Sequence, residues 1–146
     1  LTPGVTAINV GAVQLRPMLQ VRDVAASSRW YQDVLGMASG HGGDEYEMLF
    51  DGDRFLVQLH RLDAHEHGFL APGADDRRGL GVSLWFEVPD RASVDAVVER
   101  AEQVGAPAVA TASWNPQAHH YEATLSDPDG YVVVAHSPFE PGDGPS

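Results

Sequence analysis

The chain states one pattern twice. Leu19-Gln20-Val21-Arg22-Asp23 alternates like a strand, breaks into an amphipathic stretch and stops at Leu35-Gly36; Leu84-Trp85-Phe86-Glu87-Val88-Pro89-Asp90 does the same and stops at Val104-Gly105. Two copies of a strand–helix pattern within 146 residues restrict the fold to one built from two like units, because each copy has the same apolar face to bury. Short strand-like runs follow each copy, so the units read as βαβββ modules over about 15–62 and 81–138. The expected class is α+β. One domain over 15–138 carries two βαβββ modules that form a curved mixed sheet with an open cup, and 1–14 and 139–146 are tails.

Local signals place the elements. Asp23 is a good N-cap and Gly36 a good stop, so the first helix is predicted over Val24–Leu35, with Trp30, Tyr31, Val34 and Leu35 on its buried face. Val94, Val97, Val98, Ala101 and Val104 form a stripe of helical period, which predicts a second helix over Ser93–Val104. Tyr46–Phe50 and Phe55–Arg61 flank Asp51-Gly52-Asp53, a hairpin signal. Later strands are predicted at Ala108–Thr111, His120–Ser126 and Tyr131–His136, the last after the turn Asp127-Pro128-Asp129-Gly130. Asp63–Gly81 is polar and rich in Gly, Pro, His and Asp, and reads as the linker between modules; His65-x-His67 within it reads as a surface loop.

Composition removes several chemistries. The absence of cysteine rules out a disulfide framework, a thiolate nucleophile and Cys-bound metal, and nine arginines with no lysine rule out a lysine Schiff base. A formal charge of −12 disfavours nucleic acid, which is held by clustered Lys and Arg, and suits a neutral or cationic ligand. The apolar runs are too short to span a bilayer and no leader pattern is visible, so a cytoplasmic protein without a membrane partner is expected. The bias of Arg over Lys hints at a bacterial source.

The run Pro17-Met18-Leu19-Gln20-Val21-Arg22-Asp23-Val24, then Trp30-Tyr31 and Val34-Leu35-Gly36-Met37, and finally Asp127-Pro128-Asp129-Gly130-Tyr131 resemble the vicinal-oxygen-chelate superfamily. That superfamily includes glyoxalase I, extradiol dioxygenases, fosfomycin-resistance enzymes and bleomycin-resistance proteins. The resemblance covers about 15–138 and implies the same fold, but not one activity, since its members include lyases, epimerases, dioxygenases, transferases and drug-binding proteins. It also implies a homodimer whose cups draw residues from both chains. Metal-dependent members place four ligands on four strands, and those positions fall here on Arg16, Gln58, Ser83 and Val134. Arg is a fixed cation, Val has no donor, and Gln and Ser are weak ligands, so the resemblance implies a cup without the usual metal centre.

Strand alternation extends the set that faces the cup. Leu56 and His60 share the face of Gln58, Trp85 and Glu87 that of Ser83, and Val132 and His136 that of Val134; His120, Glu122 and Thr124 face the same way. The candidate ligand-binding residues are therefore Arg16, Gln58, His60, Ser83, Trp85, Glu87, Val134 and His136, with Trp114 as a lid on the loop before the His pair. Trp85 also reads as a core or interface aromatic, and Trp114 as one buried against a partner chain. His120-x-Glu122 is the candidate catalytic pair, a His general base oriented by a carboxylate, or simply two groups bonded to each other across the sheet.

Three functions compete. The leading one is binding of a small aromatic or cationic molecule with no metal or other cofactor, by stacking on Trp85 and a few directed hydrogen bonds. The alternative is a divalent-metal lyase or dioxygenase that uses a displaced set, His60, His120 and Glu122. The third is a metal-free enzyme in which His120 and Glu122 move a proton.

Overall fold

Asp23 opens the first helix with its side chain: the carboxylate accepts the N–H of Ala26 at 2.9 Å from an extended backbone, and α1 runs over Val24–Leu35. Gly36 closes it in the left-handed region, φ 73°, where its N–H reaches the carbonyls of Gln32 and Tyr31. The computed structural model describes residues 13–62 and 78–142. The His65-x-His67 segment and most of the linker and tails lie outside the described residues.

Around α1, the first module lays β1 (Met18–Val21), β2 (Ala38–Ser39), β3 (Tyr46–Asp51) and β4 (Arg54–Arg61) into one sheet of order β1-β4-β3-β2. The second lays β5 (Ser83–Glu87), β6 (Ala110–Asn115), β7 (His120–Ser126) and β8 (Val132–His136) around α2 (Arg91–Gln103) in the order β5-β8-β7-β6. In each module the first strand pairs parallel with the last, and the remaining pairs are antiparallel. These are the two βαβββ modules expected, each closing its own four-stranded mixed sheet. The register repeats as well: Gln20, His60 and Tyr46 lie side by side in the first sheet, and Glu87, His136 and Glu122 in the second.

The modules are joined behind the sheets. Leu19, Val21, Leu49, Val57 and Leu59 from the first sheet and Leu125, Val133 and Ala135 from the second form one buried cluster with Tyr31, Val34, Val97 and Ala101 of the helices. Tyr31 is fully buried and donates its hydroxyl to Asp127 Oδ2 at 2.7 Å. Burial and the neighbouring Asp127 carboxylate push the Tyr31 hydroxyl well above its usual range, so it stays a donor. Arg22 binds Asp129 at 2.9 Å, Tyr131 donates to the Gln20 carbonyl at 3.0 Å, and Arg100 of α2 donates to the carbonyl of Val34 at the end of α1 at 3.0 Å. The Asp127-Pro128-Asp129-Gly130 turn is thus a joint between modules.

Three local expectations are corrected. The second helix begins at Arg91, because Asp90 supplies the N-cap by accepting the N–H of Ser93, and it ends before Val104, which is 44% exposed at the C-cap and outside the buried stripe. β6 covers Ala110–Asn115 instead of Ala108–Thr111; pairing with β7 holds its polar residues in a strand. The two-residue β2 is an edge made by pairing with β3, with no pattern of its own to announce it.

Candidate functional site

Alternation along β5, β7 and β8 brings Ser83, Trp85 and Glu87 to one face with Val134, His136, His120 and Glu122, while Leu84, Leu125, Val133 and Ala135 turn back toward the helices. On this face His120 and His136 stack, with ring centroids 4.5 Å apart and planes inclined by 24°. The Trp85 ring lies against both, at 5.9 Å from His120 and 5.8 Å from His136, and its Nε1–H donates to Ser83 Oγ at 2.8 Å. His120 Nε2 donates to Glu122 Oε2 at 2.5 Å, and the other oxygen of Glu122 accepts from Asn115 Nδ2 at 3.0 Å. The result is a wall of one indole and two imidazoles with carboxylates beside it.

On the first sheet a second polar group gathers. Gln58 accepts the Tyr46 hydroxyl at 2.7 Å and donates to the Arg16 carbonyl at 3.2 Å. The exposed Arg16 guanidinium lies over the Phe55 ring, 4.7 Å from its centroid. Burial pushes the Tyr46 hydroxyl up, and the positive charge of Arg16 pulls the other way. His60 is 6% exposed, packs edge-on to Tyr46 at 6.1 Å and donates Nδ1–H to the Arg61 carbonyl at 3.1 Å.

Between the modules opens a cavity of about 510 Å³, bounded by Leu35 and Met37 at the end of α1, by Asp51, Arg54 and Leu56 of the β3–β4 hairpin, and by the run from Trp85 to Pro89; of the candidate residues, Trp85 and Glu87 line it. It has the size of a small-ligand site. Half of the Trp85 surface is exposed, which is unusual for so large an aromatic and leaves it open to stacking.

The candidate residues therefore divide into groups. Trp85, Glu87, Ser83, Val134, His136, His120 and Glu122 share one face of the second sheet; Arg16, Gln58 and His60 belong to the first sheet or its approach. Trp114 does not belong to the cup. It pairs opposite Tyr121 on β7, so the two-residue period turns it to the helix side, where the Arg91 guanidinium covers it at 5.0 Å and Tyr121 at 5.7 Å. The lid reading of Trp114 is set aside. Nor do His60, His120 and Glu122 converge: among the described residues no three His, Asp or Glu side chains are grouped to hold one ion, and His60 sits on a different sheet from the other two. The four positions implied by the family fit a divalent ion no better, since Gln58 is held by Tyr46, Ser83 by the indole, Arg16 is cationic and Val134 has no donor.

Two members of the site escaped sequence reasoning. Tyr46 follows the same alternation as Met48 and Phe50 on β3, and continuing the cup-facing pattern to that strand finds it. Asn115 is visible only once β6 is known to extend to it, because its role comes from facing His120 across the ladder.

The model of the Glyoxalase/Bleomycin resistance protein/Dioxygenase superfamily matches residues 13–135. No curated protein matches the chain significantly. Among solved structures, a glyoxalase/bleomycin resistance protein/dioxygenase family enzyme from Burkholderia phytofirmans is 25% identical with a TM-score of 0.69, over 84% of this chain and 95% of that one. A lactoylglutathione lyase from Agrobacterium tumefaciens is 21% identical with a TM-score of 0.64, over 86% and 93%. A glyoxalase-related enzyme from Fulvimarina pelagi is 19% identical with a TM-score of 0.71, over 92% and 96%. At these last two identities the likeness is one of fold.

Proposed function

The chain belongs to the Glyoxalase/Bleomycin resistance protein/Dioxygenase superfamily, and on that premise we propose that it binds a small organic molecule, aromatic or cationic, in the cup between its modules without the superfamily's usual metal centre. The observation that carries this reading is Trp85, half exposed and bordering the 510 Å³ cavity with Glu87 on the same face of the same strand. An exposed indole supplies a flat apolar plate, and a carboxylate beside it favours a positive group on whatever stacks there. The donor chemistry of Arg16, Gln58, Ser83 and Val134 supports a metal-free site, as does the dispersion of His60, His120 and Glu122 over two sheets.

A homodimer is part of the same proposal. β5 is an edge strand of its sheet among the described residues, and Leu80 and Val82, which lead into it, are 69% and 56% exposed, an apolar margin that a second copy would cover.

The test is isothermal titration of aromatic and cationic metabolites before and after chelation, with metal content measured by plasma mass spectrometry. Binding should survive chelation and weaken on Trp85→Ala by about 1–3 kcal/mol, the value of a lost stacking surface. Near-stoichiometric metal with binding abolished by chelation, or affinity unchanged in Trp85→Ala, would overturn the proposal.

A further inference from the structure

His60 and His136 occupy the same position in the two copies of the repeat, each between a residue of its module's first strand and one of its third. Each makes the same bond: Nδ1 lies 3.1 Å from the Arg61 carbonyl in the first module and 2.8 Å from the Ser137 carbonyl in the second. A carbonyl oxygen only accepts, so Nδ1 carries the proton, and in the neutral ring the lone pair is on Nε2. His60 is buried; His136 is partly exposed on the cup face.

The surroundings of His136 hold the ring still. Ser137 is fixed to β7, donating its N–H to the Tyr121 carbonyl at 2.8 Å and accepting the Tyr121 N–H on Oγ at 2.9 Å. One face of the imidazole is stacked on His120, which Glu122 immobilises in turn. His120 has the opposite proton placement, Nε2–H to Glu122, so its Nε2 is already engaged. Among the described residues no group donates to His136 Nε2. An oriented acceptor without a protein donor, beside the half-exposed Trp85, is left for water or ligand.

We propose that His136 Nε2 selects the ligand of the cup: the site takes a planar molecule bearing a hydroxyl or N–H donor, which donates to this nitrogen while its ring lies against Trp85. The inference rests on the ligand-binding reading above. A planar molecule of the same size without the donor would displace water from Nε2 and leave the acceptor unpaired, so discrimination comes from that lost bond as much as from the one gained.

The experiment compares 2-naphthol with its O-methyl ether, 2-methoxynaphthalene, by calorimetry on the full chain and His136→Phe, which keeps a ring over His120 and removes the acceptor. 2-Naphthol should bind wild type about tenfold more tightly than the ether, with the preference lost in the variant. In wild-type protein labelled with ¹⁵N-histidine, Nδ1 of His136 should be the protonated nitrogen, and 2-naphthol but not the ether should shift Nε2; this readout stands even if His136→Phe does not fold. Equal affinity for the two probes, or an Nε2 signal that 2-naphthol leaves unmoved, would overturn the inference alone. If neither probe binds wild type, it falls together with the reading it rests on.

Discussion

Glu47 offers a stability test with its sign already determined. It is 3% exposed in the middle of β3, yet its carboxylate accepts five donors: Ser28 Oγ at 2.8 Å and Ser39 Oγ at 2.7 Å on one oxygen, and the N–H groups of His41, Gly42 and Met48 at 3.1, 2.7 and 3.0 Å on the other. It therefore ties α1, β2 and the turn after it to β3. Burial alone would push the carboxyl up, but the Gly42, Ser39, Ser28 and His41 hydrogen bonds outweigh it and bring the group from 4.5 down to about 2. A displacement of that size corresponds to ~3 kcal/mol of preference for the charged form. Because His41 and Gly43 beside it are open to solvent, screening reduces the contribution to about 2 kcal/mol.

Glu47→Gln should thus cost about 2 kcal/mol at neutral pH, or roughly 4–8 °C in Tm for a domain of this size. The folded group binds its proton less readily than the unfolded one. Its stabilisation is consequently complete above the unfolded value of 4.5 and is lost as the pH falls toward 2. Urea unfolding of wild type and variant from neutral to acidic pH measures the gap between them directly and removes the background of other carboxylates. Asp127 is one of these, raised mainly by burial, and it contributes in the opposite sense. Equal urea midpoints at neutral pH, or a gap that stays constant down to the acid limit, would refute the reasoning.

Two further outcomes can be checked. Tyr31→Phe removes the hydroxyl that Asp127 accepts between modules and should destabilise the chain by about 1–2 kcal/mol in urea unfolding without altering its helix content by circular dichroism. Sedimentation equilibrium should give the mass of a dimer for wild type and of a single chain for Leu80→Glu combined with Val82→Glu, since both place a charge on the apolar margin that leads into β5. A monomeric wild type would remove that part of the proposal.

Where the sequence was legible, one local signal sufficed. α1 has the predicted bounds because Asp23 and Gly36 act on their immediate neighbours, and the hairpin at Asp51-Gly52-Asp53 follows from the conformational freedom of Gly52, φ 59°. The cup-facing set on β4, β5, β7 and β8 followed from a two-residue period once the strands were recognised. Trp114 was misplaced for the same reason: a strand end set four residues early leaves its side chain without a defined face, and only pairing with β7 turns it toward Arg91.

The sequence by itself determined the duplication, the two modules, the bounds of the first helix and the residue types available for chemistry, because repeats, caps and periodicity are properties of neighbours along the chain. It also determined which residue types stand at the four positions implied by the family: Arg16, Gln58, Ser83 and Val134. Only the tertiary structure decided that His60 stays apart from His120 and Glu122, and that His120 and His136 stack with opposite protonated nitrogens. It likewise decided that Trp85 borders a cavity against the hairpin of the other module. Those relations depend on strand order, register and the packing of one module on the other. They are set by long-range burial, which no short stretch of sequence specifies alone.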